Sequence, residues 1–219
     1  MPADRRLIAE LHEHGRTLAS SLGIARDAGT SFAEGLLLQY RRWPRRYHSE
    51  QHLLACVRAA EALRPTLPSP DAVVFALWFH DAVYWPWRRD NELRSAVQAR
   101  DAAQRLHLGK PFAGQVHALV MATAHLAGPP QTDGDPATDW VLDIDLGILG
   151  APPEAYDRYE HDVRREYFFV TPWTWRKGRG AVLRHFIDQP RIYRTEHFHA
   201  LLEERARDNL HRALRSLAG

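Results

Sequence analysis

Ala76-Leu77-Trp78-Phe79-His80-Asp81 is the stretch on which the fold of this chain turns. An apolar run ends in two adjacent side chains that are good ligands for a divalent metal, a neutral imidazole and a carboxylate. Ser69-Pro70-Asp71 gives the run a helix start, with a cap, a proline at the first position and an acid in the first turn. Val73, Val74, Ala76, Leu77, Trp78 and Phe79 are apolar nearly all round the predicted helix, which places it at the centre of a core. Neighbouring residues on a helix point about 100° apart, but at a helix end both can turn toward one ion. A lone His-Asp pair equally suits a histidine capping the last carbonyls and an aspartate capping the next segment. Residues elsewhere must decide between the two.

The chain has 219 residues, 45% of them apolar, enough for one sizeable core. The formal charge is +2, a mixed and mildly basic surface that does not by itself point to a nucleic-acid partner. Cys56 is the single cysteine, which excludes an intrachain disulfide framework and suits a reducing cytoplasm. Met1-Pro2-Ala3-Asp4-Arg5-Arg6 leads into an amphipathic pattern without a signal-peptide h-region, so the expected location is cytoplasmic. No apolar run is long enough for a membrane span. The sequence carries no signature of oligomeric state.

Outward from the central helix, 3.6-residue periodicity predicts an all-α chain. Helices are expected over residues 5–22 and 32–42, with Trp43-Pro44 breaking the second. Arg41, Arg42, Arg45 and Arg46 flank the break; such a run reads as a solvated face, though it lies close enough to a candidate ligand to meet a phosphate. Tyr47-His48-Ser49-Glu50-Gln51-His52 is expected to open the third helix, putting His48 and His52 on one helical face. Tyr84-Trp85-Pro86-Trp87 reads as an aromatic loop, and Asp90-Asn91-Glu92 as the next helix start, with Leu93, Val97 and Leu106 turned inward. A further helix is expected to end at His125, and residues 127–135 to form a loop. Thr138 is the expected cap of a segment over residues 140–149 in which Asp143 and Asp145 stand among apolar neighbours. Burying two carboxylates there is costly unless they are paired or bound to a cation. Pro152-Pro153-Glu154 and Thr171-Pro172 start two more helices, and Lys177-Gly178-Arg179-Gly180 reads as a basic turn. The last helix, residues 195–217, offers Glu203–Arg207 and Asp208–Arg212 as i,i+4 pairs.

His48, the His80-Asp81 pair, His125 and Asp143 or Asp145 thus form an ordered set with long helical spacers. The order resembles the HD superfamily of metal-dependent phosphohydrolases, and within it the small group of predicted metal-dependent HD-domain phosphohydrolases. Arg46-Tyr47-His48-Ser49-Glu50-Gln51-His52, Trp78-Phe79-His80-Asp81-Ala82-Val83-Tyr84, Asp90-Asn91-Glu92, Ala122-Thr123-Ala124-His125 and Leu142-Asp143-Ile144-Asp145-Leu146 carry the resemblance, with Gly178-Arg179 and Ile192-Tyr193 extending it over residues 5–215. It implies one all-α HD-domain helical bundle over residues 1–219, with an HD core over about residues 40–150. It further implies a divalent ion (Mn, Fe, Ni, Co, Zn or Mg) held by His48, His80, Asp81 and Asp145. Asp145 takes the family's aspartate position, with Ile144 where the family has alanine. By the same resemblance His52 supports a ligand, Asp143 backs or replaces Asp145, and His125 stands where di-metal members carry an extra histidine.

The chemistry implied is hydrolysis of a small phosphate ester, a nucleotide being the favoured substrate, by metal-activated water. Asp81 would also hold or deprotonate that water. Arg46, Lys177 and Arg179 are the candidates for offsetting charge on phosphorus. Glu92 is either the acid for the leaving group or simply an acid in a first helical turn. A di-iron oxygenase on the same fold and a non-catalytic nucleotide-binding module are the competing readings.

Overall fold

Every residue of Ala72 through Phe79 is buried in helix α4, Pro70–Phe79, which runs through the middle of the molecule. In the computed structural model, which describes residues 2–125 and 134–218, 75% is helix, and no strand occurs among the described residues. Before α4 come α1 (Pro2–Ser21), α2 (Arg26–Tyr40) and α3 (Glu50–Leu63). After it come α5 (Asn91–Arg105), α6 (Lys110–Ala122) and α7 (Ala137–Asp145). A 3-10 turn, Leu146–Gly150, leads to α8 (Pro153–Glu166), α9 (Pro172–Ile187) and α10 (Glu196–Ala218). Of the loop expected over residues 127–135, residues 127–133 lie outside those described.

Helix α4 packs on α1, α3, α5, α6 and α7. Because α4 is apolar all round, each of those neighbours needs only one apolar face. Helices α8, α9 and α10 gather around the 3-10 turn and close the other end. One continuous apolar cluster extends from Leu11 on α1 to Leu210 on α10.

Several local expectations give way to packing. Helix α2 begins six residues earlier than expected, at Arg26, and includes Gly29. A β-carbon on Gly29 would overlap that of Ala19, and one on Gly15 would lie 2.9 Å from that of Ala33, so the missing side chains let α1 and α2 approach closely. Leu93 is not inward but 47% exposed. Helix α5 instead buries Ser95, Ala96, Ala99, Ala102 and Ala103, a small-residue face that seats α6. Thr138 lies inside α7 rather than capping it, and regular helix stops at Asp145. The Lys177–Gly180 segment is not a turn but part of α9. There Arg179 is buried on Glu160, with contacts of 2.6 and 3.0 Å, and this tertiary anchor overrides the weak helix propensity of two glycines. Glu203 and Arg207 pair as expected, whereas Arg212 reaches Asp157 on α8 instead of Asp208.

Candidate metal centre

His52 leaves the first turn of α3, His80 and Asp81 follow directly on α4, and Asp145 is the last residue of α7. These helix ends converge. His52 Nε2 lies 2.9 Å from His80 Nε2, 3.1 Å from Asp145 Oδ1 and 3.6 Å from Asp81 Oδ2. His80 Nε2 is 3.2 Å from Asp81 Oδ2 and 3.4 Å from Asp145 Oδ1. Cys56, one turn after His52, brings its thiol sulfur to 3.7 Å from His52 Nε2. The ligand atoms of His52, Cys56, His80 and Asp145 all lie within 4.8 Å of one another, a buried cluster that could hold a metal ion.

The histidines are nearly inaccessible, while Asp81 and Asp145 keep 18% and 14% of their side chains exposed, and Asp145 borders the adjoining cavity. Burial opposes ionisation of every group here. For Asp81 the charges of His80 and His48 outweigh it, and for Asp145 those of His80 with bonds from His125 and His52, so both carboxyls are held below their usual range. Burial likewise opposes the His80 imidazolium, but Asp81 and Asp145 together hold its pKa well above the ordinary value. Two buried carboxylates demand compensating positive charge, which imidazolium protons or a divalent cation would supply. Burial, then the charges of Asp145 and Asp81, pushes the Cys56 thiol up.

Backbone contacts fix the side chains. His80 Nδ1 donates to the Leu77 carbonyl at 2.8 Å, which leaves Nε2 for the cluster. Arg45 donates to the carbonyls of His48, Asp81 and Ala82, stapling the strand of chain before α3 to the end of α4. Arg45 is therefore not part of a solvated basic face; the opposing Tyr40 and Tyr84 rings lie 5.0 and 5.5 Å from its guanidinium carbon. His125 Nε2 meets the other oxygen of Asp145 at 2.9 Å, so this carboxylate faces histidines on both sides.

His48 occupies a different place from the one its spacing suggested. Ser49 is the N-cap of α3 in an extended conformation, so His48 precedes the helix and shares no helical face with His52. Its Nδ1 lies 2.6 Å from Oε2 of Glu166, the last residue of α8. Glu166 is fully buried and also accepts from the backbone N–H groups of Arg46, Tyr47 and His48 and from the Tyr84 hydroxyl. Burial opposes the His48 imidazolium, but Glu166 and Asp81 raise its pKa overall. His48 stacks on Tyr84 at 4.0 Å and lines a cavity of about 660 Å³ together with Glu92, His125 and Asp145. Burial, with added repulsion from Asp81 and Asp145, pushes the Glu92 carboxyl up.

The remaining expected site residues divide. Asp143 is buried and faces away from the cluster, accepting from the Arg194 and Thr195 N–H groups and from the Thr195 hydroxyl. Arg46 borders a neighbouring cleft of about 450 Å³ that shares His52 and Asp145 with the centre. Arg179 is committed to Glu160 and the Tyr159 hydroxyl, and Lys177 lies exposed over Trp173. The arginines that do line the larger cavity are Arg88 and Arg89, directly after the aromatic loop; that adjacency was the available signal for them. Nothing local marked Glu166, which is 118 residues from His48.

Comparison with protein-family models, with curated proteins and with solved structures gave no match.

Proposed function

We propose that the chain binds a divalent ion through His52, His80, Asp81 and Asp145 and hydrolyses a small phosphate ester in the adjoining cavity, as a member of the HD superfamily it resembles. The spacing of four donor atoms carries this reading. A metal with bonds of about 2.0–2.2 Å holds adjacent ligands roughly 2.8–3.6 Å apart at octahedral or tetrahedral angles. The five donor–donor distances around His52 and His80 run from 2.9 to 3.6 Å. The ligand atoms of His52, His80 and Asp145, with the Cys56 sulfur, lie within 4.8 Å of one another, and Asp81 Oδ2 lies beside both histidines. Asp81 is taken as the fourth ligand because its Oδ2 lies 3.2 and 3.6 Å from His80 and His52 Nε2, nearer than the Cys56 sulfur lies to His52.

A bound divalent ion would lower the pKa of a water and polarise a phosphoryl oxygen. The chain's own groups supply the rest. Water adds to phosphorus and gives up one proton, the ester P–O bond breaks, and the departing oxygen takes up a proton, which the one released by water replaces. Glu92, its carboxyl pushed up by burial, stands in the cavity as the candidate donor of that proton. Arg89, with Arg46 at the neighbouring rim, offsets charge on the phosphoryl group. His48, its Nδ1 engaged by Glu166, has Nε2 left to orient the substrate. A nucleotide suits the cavity because Tyr84, Tyr159 and Tyr167 line it beside the arginines.

The test is metal analysis of chelator-free protein, followed by a phosphatase and phosphodiesterase panel with Mn, Mg, Co, Ni, Fe and Zn. His52→Ala should lose the metal, and His48→Ala should keep it while losing turnover. Metal retention by His52→Ala would refute the ligand set. Nucleotide binding without turnover would favour a regulatory module, and oxygen uptake with iron an oxygenase.

A further inference from the structure

Trp43, Trp87, Phe168 and Phe169 are 61, 51, 53 and 46% exposed. They come from three separate connections, yet their rings touch in series. Trp43 meets Phe168 at 5.0 Å between centroids, Phe168 meets Phe169 at 5.6 Å, and Phe169 meets Trp87 at 5.7 Å. Trp85 extends the series from Trp87 at 5.1 Å. The result is one continuous aromatic patch on the surface.

The connections that carry it are tied down in the monomer. Glu166 and Arg45 hold the segment after Trp43, and Asn91 exchanges two hydrogen bonds with the Trp85 backbone. Arg164 holds the carbonyls of Tyr167 and Val170 on either side of the two phenylalanines. The rings are thus presented rigidly instead of folding inward, and a preorganised apolar surface loses little entropy on docking.

We propose that this patch is the core of a twofold interface between two copies of the chain. The area supports that occupant. At about 150–250 Å² per aromatic side chain, the four exposures leave roughly 300–500 Å² of ring surface. A standard interface takes about 800 Å² per partner, with an apolar core and a polar rim. The rim suits self-association too. Arg42, next to Trp43, is exposed. A guanidinium over an aromatic face is favourable, so Arg42 of one copy matches the rings of the other. That is the self-complementarity an isologous contact requires. The patch borders the larger cavity, since Tyr84 and Tyr167, next to Trp85 and Phe168, line that cavity. The second copy would therefore stand across the cavity mouth.

Sedimentation velocity on the full chain at several concentrations tests this. The expected result is a species of twice the chain mass, lost in Phe168→Asp and in Trp43→Ser while helicity by circular dichroism is unchanged. Leu201→Asp, an equally exposed site on α10 outside the patch, should remain dimeric. A monomer at every concentration would overturn the proposal, as would a dimer that survives both patch variants or dissociates equally with Leu201→Asp. A monomer that instead sediments with anionic lipid vesicles would overturn it in favour of a membrane surface. None of these readouts involves metal or turnover, so failure here leaves the proposed chemistry separately testable.

Discussion

Glu166 shows how much one buried carboxylate can organise. It is fully inaccessible and accepts five hydrogen bonds, three from consecutive backbone N–H groups. Glu166→Gln puts an amide N–H against donors and removes the charge opposite His48. Destabilisation of about 2–4 kcal/mol is expected, measurable by chemical denaturation. Burial opposes the Glu166 carboxylate, but His48 and the backbone donors hold its pKa below the usual 4.5. A lowered folded pKa gives stability that is complete above the unfolded value and is lost as pH falls through the folded one. The acid limb of stability below about pH 4.5 should therefore flatten in Glu166→Gln. An unchanged acid limb would show that this carboxylate does not carry it.

At the scale of elements, α7 separates two aspartates that the sequence places two residues apart. Asp145 ends the helix at the cluster, while Asp143 points the other way and secures the turn that starts α10. A helix turns about 100° per residue, so positions two apart face nearly opposite sides. The pair predicts opposite phenotypes. Asp143→Asn should cost about 1–3 kcal/mol by weakening buried acceptor bonds, with metal content retained. Asp145→Asn should keep the fold and lose the metal. Thermal melts paired with metal analysis of both variants decide it; metal loss in Asp143→Asn alone would reverse the assignment.

For the whole molecule, the centre sits where α3 begins and α4 and α7 end, so an ion there would cross-link three helices. Binding only to the folded state stabilises by about 2.7 kcal/mol at a hundredfold excess over Kd. In a chain of this size that corresponds to a rise in Tm of roughly 5–10 °C. The matching divalent ion should produce it, and His80→Ala should abolish it. No shift with any of the six metals would argue against a site at these residues.

The fold was legible because its signals are local. The apolar circumference of α4, the proline starts at Pro70, Pro153 and Pro172, and the helical periodicity between them needed no tertiary information to predict an all-α chain. His80 and Asp81, ending an apolar helix, and Asp143 and Asp145, inside an apolar segment, were legible as candidates because such polar groups need a purpose; only the resemblance favoured Asp145. Which histidine joins them was decided by tertiary structure. The resemblance implies His48 as the ligand and His52 as its support; in the structure a glutamate from α8 engages His48, while His52 lies in the cluster. Arg179 and the glycines beside it likewise read as a basic turn until Glu160 holds them in a helix. Periodicity and capping act over a few residues and are written in the sequence. The partner of a buried charge lies tens to more than a hundred residues away, and only packing selects it.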